Sequence, residues 1–174
     1  MLHQARVVLV VALAASGLAA QTPLLAPPVA ASPVTLSPIT DGDFKAKVLS
    51  PRAGKAVLVS FWASYCAPCL GELPALLELK KRVQARGGDI VLVNVDPPGD
   101  PARIQKVIVA KKLPAFESWQ VMNEDPQPFI DAVDKRWMGE VPYAAVFGKD
   151  GALKRGLSGE QKIADLQKAL DEVL

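Results

Sequence analysis

Two cysteines spaced as Cys66-Ala67-Pro68-Cys69 come directly after the apolar run Ala56-Val57-Leu58-Val59-Ser60-Phe61-Trp62, and the chain has no others. The run is apolar almost throughout, as expected of a strand buried on both faces. Residues 66–86 read as a helix, closed by Gly87-Gly88. The pair therefore sits where a buried strand gives way to a helix. A loop closed between neighbours so near in sequence cannot tie distant parts of a fold together and contributes little stability. Its use is chemical, a disulfide that opens and closes.

The rest of the chain fits an α/β domain around this junction. Residues 90–96 form a second apolar strand and 101–112 a second helix. A proline-broken stretch over 113–128 comes next, then a short helix near 129–136. Ala144–Phe147 and Ala152–Leu157 flank Gly148-Lys149-Asp150-Gly151, a hairpin turn. A last helix is predicted from Ser158, with Gln161 completing a capping box. Its apolar face is Ile163, Leu166, Leu170 and Val173. The order predicts a central mixed sheet, a βαβ unit joined to an antiparallel hairpin, with helices on both faces.

Ahead of this domain lie two segments of other character. His3 and Arg6 precede the apolar stretch 7–15, and small residues come after it (Ser16, Gly17, Ala19, Ala20). Residues 1–20 are expected to be a signal peptide cleaved after Ala19 or Ala20. The rival is a retained membrane anchor. A span takes about 20 apolar residues, a length reached here only by counting Ser, Gly and Gln. No cysteine near the site offers a lipid attachment point. Residues 21–38 hold five prolines and no charge, which predicts an extended tether. The globular domain is expected over 39–174, with Thr40 capping a short helix to Leu49. Export would place the thiols where disulfides persist, in the periplasm or on the outer face of the cytoplasmic membrane. A membrane contact is expected only if residues 1–20 are retained.

Composition removes several alternatives. Half of the 174 residues are hydrophobic, enough for a core that needs no staple. A net charge of +2 with interspersed acids leaves no basic stripe for nucleic acid. A zinc site takes about four ligands, and the single histidine, His3, lies in the leader. A copper carrier of this fold would want a further histidine. No cofactor is expected beyond the Cys66–Cys69 disulfide itself.

Nucleophilic sulfur must be thiolate, and a free thiol with pKa near ~8.5 mostly is not. At a helix amino terminus, unpaired N–H groups and the helix dipole favour the anion. Cys66 is therefore assigned as the attacking thiol and Cys69, one turn in, as the resolving one. Pro68 falls in the first turn, where the missing N–H costs nothing.

The run Phe61-Trp62-Ala63-Ser64-Tyr65-Cys66-Ala67-Pro68-Cys69, continuing to Glu72-Leu73-Pro74, resembles the thioredoxin superfamily. It is more closely similar to the exported TlpA/ResA-like thiol–disulfide oxidoreductases. The resemblance covers roughly Thr40 to the carboxyl terminus, and it implies a thioredoxin-like fold. The implied partners are a disulfide- or thiol-bearing client protein and a membrane-borne thiol reductant. Cytochrome c maturation is one family occupation and general disulfide repair another. Glu140-Val141-Pro142-Tyr143 stands where the family keeps a cis-proline beside the cysteines. By the same resemblance Pro142 faces Cys66, and the backbone of Val141 pairs with an extended substrate. Glu72 matches a family glutamate that could take the proton of Cys69, although an acid there also suits the helix dipole. Trp62 is expected to pack beside the disulfide.

Four departures bear on the direction of electron flow or on the family. Ser60 replaces the buried aspartate of cytosolic thioredoxins. Tyr65 replaces the commoner tryptophan. Val141 replaces threonine, as in strongly oxidising relatives such as DsbA. A peroxidase of the superfamily would want Pro-x-x-x-Thr/Ser-x-x-Cys, where Val59 and Ala63 stand. The expected activity is reduction of protein disulfides. Disulfide donation and a non-catalytic binding module are the alternatives.

Overall fold

β2 (Val57–Trp62) and β3 (Asp89–Asn94) are buried at every position, because side chains of both alternating sets meet apolar layers. Val57, Val59, Phe61, Val91 and Val93 belong to one hydrophobic cluster. Leu58, Trp62, Ile90 and Leu92 point to the other face. The structure is a computed structural model and describes residues 33–174. The leader over 1–20 and the first part of the expected tether lie outside the described residues.

Six strands form one mixed sheet in the order β1-β4-β3-β2-β5-β6. β1 (Val34–Ile39), β4 (Phe116–Val121), β3 and β2 run parallel to one another. β5 (Tyr143–Phe147) and β6 (Leu153–Ser158) complete the sheet as the antiparallel hairpin. On one face lie the π-helical turn Phe44–Leu49 and α4 (Gln127–Val133), whose Phe44, Val48, Phe129 and Ile130 join the Val57–Phe61 cluster. On the other lie α2 (Ala67–Gln84), α3 (Pro101–Ala110) and α5 (Ile163–Asp171). The α/β class, the mixed sheet and helices on both faces are as the sequence predicts.

Three expectations are corrected. The tether does not run to Pro38, because Val34–Ile39 pairs in register with Phe116–Val121. Pro38 is tolerated there because β1 is an edge strand, where a missing N–H breaks no ladder on the open side. The proline-broken stretch contains β4, and its prolines, Pro114, Pro126 and Pro128, lie outside the strand. The last helix starts at Ile163, after Lys162, and not at Ser158. Ser158 ends β6 and hydrogen-bonds the Glu140 carboxylate, so its hydroxyl caps nothing. The Gln161 N–H donates to Glu72 Oε1 (3.1 Å) instead of closing a capping box. The helix expected from Thr40 to Leu49 is broken into α1 (Asp41–Asp43) and the π turn, a 3-10 turn (Ser50–Arg52) continues past it, and the Thr40 side chain makes no capping bond.

Beneath β5, Tyr143 donates its hydroxyl to Asp134 Oδ2 (2.8 Å) and stacks on Trp137 with ring centroids 4.7 Å apart. Burial works against the Asp134 carboxylate. Hydrogen bonds from Arg136 and Tyr143 outweigh it and hold its carboxyl below the ordinary value of 3.8. A carboxyl lowered on folding stabilises the protein above its unfolded value and loses that contribution as pH falls through the folded one. Acid unfolding of the wild type is therefore expected to steepen below about pH 4. Asp134→Asn should remove that part of the slope in urea titrations repeated across pH. An unchanged slope would mean the group does not contribute.

Candidate active site

α2 begins where the chain leaves β2. Trp62 carbonyl still accepts from Val95 N–H (2.9 Å), then Cys66 N–H donates to Ala63 carbonyl (3.1 Å) and closes a turn. Cys66 is the N-cap of α2, with extended backbone, and its sulfur accepts a hydrogen bond from Cys69 N–H at 3.3 Å. A helix start normally fills that capping role with a side-chain oxygen; here a sulfur does it. Cys66 and Cys69 form a disulfide, with Cα atoms 5.3 Å apart. Their exposures are close, 6% and 3%. Any order of reactivity therefore rests on helix position and not on access.

The other expected site residues distribute unevenly around this pair. Trp62 shares a buried cluster with both cysteines. Its indole N–H donates to Ser118 Oγ (3.0 Å), and its ring packs edge-on against Phe116. Both partners come from β4. Pro68 is exposed in the first turn of α2, and Pro74 lies inside the helix. The Val141–Pro142 peptide bond is cis. Val141 packs against the cysteine cluster, and Pro142 carbonyl accepts from Gly159 N–H (2.8 Å). Glu72 turns toward the start of α5, where Oε1 accepts the Gln161 N–H. Burial pushes its carboxyl above the usual range, against the pull of that hydrogen bond. Among the described residues, no group of three or more His, Cys, Asp and Glu could hold a metal ion.

At Tyr65, the residue before Cys66, opens a groove of about 390 Å³, lined in part by Pro97, Pro98, Pro126, Trp137 and Met138. Pro97, Pro98 and Pro126 of the proline-rich connections line this groove, and Pro114 lies elsewhere. Met138 is 85% exposed. The sequence reading missed Asp96, which accepts from Ser64 in the turn before Cys66, and Asn94 and Arg103, which donate to Asp96. The available signal was positional. Parallel neighbouring strands end at the same edge of a sheet, so the loop leaving β3 lands beside the turn leaving β2.

A thioredoxin-like α/β domain with a Cys-x-x-Cys disulfide heading a helix defines the class, a thiol–disulfide oxidoreductase. The chain belongs to the AhpC/TSA family, whose model matches residues 28–155. It is similar to the thiol-disulfide oxidoreductase ResA of Geobacillus kaustophilus (strain HTA426), 27% identical over 126 residues, covering 72% of this chain and 67% of that protein. ResA of Bacillus anthracis is 26% identical over 141 residues, covering 77% and 72%. Among solved structures, a thiol:disulfide interchange protein from Chlorobium tepidum TLS shares the fold, with TM-score 0.55 and 22% identity over 71% of this chain and 83% of that one. The exposed lipoprotein thioredoxin of Streptococcus pneumoniae strain TIGR4 matches with TM-score 0.53 and 26% identity over 71% and 88%.

Proposed function

We propose that the protein reduces disulfides in client proteins outside the cytoplasm, using Cys66 and Cys69 and no other cofactor. The observation that carries this reading is the Cys66 sulfur at the head of α2, already accepting a backbone N–H. In the reduced protein the Cys66 thiolate attacks a client disulfide, forming a mixed disulfide and releasing one client thiolate. Cys69 gives up its proton and attacks the Cys66 sulfur, releasing the second client thiolate, which takes that proton up. Two electrons have then passed to the client, and the protein holds the Cys66–Cys69 disulfide. A membrane-borne thiol reductant returns two electrons and resets the pair. The similarity to ResA proteins supports the reducing direction, and the hydrophobic leader supports export.

The test is the reduction potential of the pair, by equilibration against glutathione or dithiothreitol with Trp62 fluorescence as the signal. A value of roughly −250 mV or lower is expected. A value near about −120 mV, in the range of strong oxidants, would instead make the protein a disulfide donor, the alternative that Val141 favours.

In this reading the client lies along Val141 and into the neighbouring groove, with Met138 on its lip. Met138→Glu is expected to raise KM for a protein disulfide about fivefold, the scale of a modest interface contact. The potential and the turnover of a small-molecule disulfide should not change. Equal KM in both proteins would place the client elsewhere.

A further inference from the structure

Strand register brings a buried charge to the site. Trp62 stands opposite Asn94 in the parallel β2–β3 ladder, so two residues further on Ser64 meets Asp96. The Asp96 side chain is 4% exposed and both its oxygens are fully used. Oδ2 accepts from Ser64 N–H (2.6 Å) and Asn94 Nδ2 (2.7 Å). Oδ1 accepts from Ser64 Oγ (2.5 Å) and Arg103 Nη2 (2.9 Å). Arg103, in the first turn of α3, also donates to Ser64 Oγ (3.2 Å). Only an ionised carboxylate accepts from four donors at once, since an amide would set its own N–H against one pair of them. The turn from Ala63 to Cys66 is thereby pinned at its second residue by a carboxylate.

That brace carries an electrostatic cost. A buried carboxylate bound to the turn that presents Cys66 opposes a second negative charge there. Arg103 supplies the opposite charge at hydrogen-bond distance. We propose that Arg103 is a positioning residue for Cys66, acting through Asp96. The carboxylate fixes the turn, and the guanidinium cancels the charge that would otherwise disfavour the Cys66 thiolate. The role matters for turnover only on the reading of Cys66 as the attacking thiol.

Arg103→Gln and Arg103→Lys in the full chain test this. The Arg103 side chain is half-exposed and Asp96 keeps three other donors without it, so both variants are expected to fold. Two quantities are read: the rate at which iodoacetamide alkylates Cys66 in the reduced protein at pH 7, and the reduction potential. Arg103→Gln is expected to alkylate about fivefold slower, the scale of one charge acting over a short, partly screened distance. At high pH, where the reduced form is already thiolate, the same destabilisation shifts the couple toward the disulfide about fivefold, so the potential read there falls by about 20 mV. Arg103→Lys, which keeps the charge, should stay within about twofold of wild type. A lower melting temperature for Arg103→Gln with unchanged alkylation and potential would reduce the pair to a structural contact and overturn the proposal. So would Arg103→Lys behaving like Arg103→Gln. Wild-type turnover of a protein disulfide, measured alongside, judges the functional reading separately.

Discussion

Cys66→Ser is expected to abolish reduction of a protein disulfide, with a loss on the order of 10³-fold or more, as removal of a covalent nucleophile causes. Serine keeps the N-cap geometry, because a hydroxyl is among the best acceptors at that position. Stability should therefore stay within about 1 kcal/mol of the reduced wild type, and the loss is chemical. Cys69→Ser gives a different failure. The first attack still proceeds, the resolving thiol is missing, and a mixed disulfide with the client accumulates on Cys66. Intact-mass spectrometry under non-reducing conditions reads it directly. Client trapped on Cys69 in the Cys66→Ser protein, with none trapped in Cys69→Ser, would reverse the assignment. Unchanged turnover in both variants would remove the pair from the mechanism. Client binding lost on Cys66→Ser, in a wild type that shows no turnover, would favour a binding module.

Gly156→Ala should cost about 3 kcal/mol, the upper range for overpacking a filled core, and lower the melting temperature by roughly 10 °C. A Cβ at this position would overlap the Tyr143 hydroxyl oxygen and stand 2.8 Å from Asp134 Oδ2. Tyr143 cannot swing away freely. Its ring stacks on Trp137, its hydroxyl is held by Asp134, and Asp134 is in turn bound by Arg136. Relief therefore means breaking a buried hydrogen bond or moving a backbone. Tyr143→Phe removes the clashing oxygen, so the double variant should recover a large part of the loss. A Gly156→Ala protein as stable as wild type would show that this corner relaxes, as would a double variant that recovers nothing. The same corner fixes the chain leading to Pro142, since Trp137 Nε1 donates to Glu140 carbonyl (2.8 Å).

The cysteine pair and its setting were plain in the sequence, because strand, turn and helix are consecutive and each has a local signature. β2 and β3 are continuous apolar runs, α2 closes on Gly87 with positive φ, and the Asp-Gly turn marks the β5–β6 hairpin. These features depend on neighbours in the chain. β1 and β4 do not. Val34–Ile39 holds a proline and follows directly on a proline-rich, uncharged run, and it is a strand because Phe116–Val121 offers it a ladder. Phe116–Val121 is in turn hidden between prolines. At the other end, Ser158-Gly-Glu-Gln161 has the letters of a capping box, but β6 claims Ser158 first, and pairing with Tyr143 outweighs a local cap.

The site divides in the same way. Sequence by itself determined the two cysteines, their order along a helix, the α/β class and the proline before β5, because each is written in adjacent residues. Only the tertiary structure decided what surrounds them. It brought Ser118 under Trp62, sent Glu72 to the head of α5, opened the groove beside Tyr65, and set Asp96 and Arg103 behind the turn. Those contacts join residues 32 to 89 positions apart. Such pairings arise from strand register and the packing of two buried sheet faces, and no local pattern in the chain encodes them.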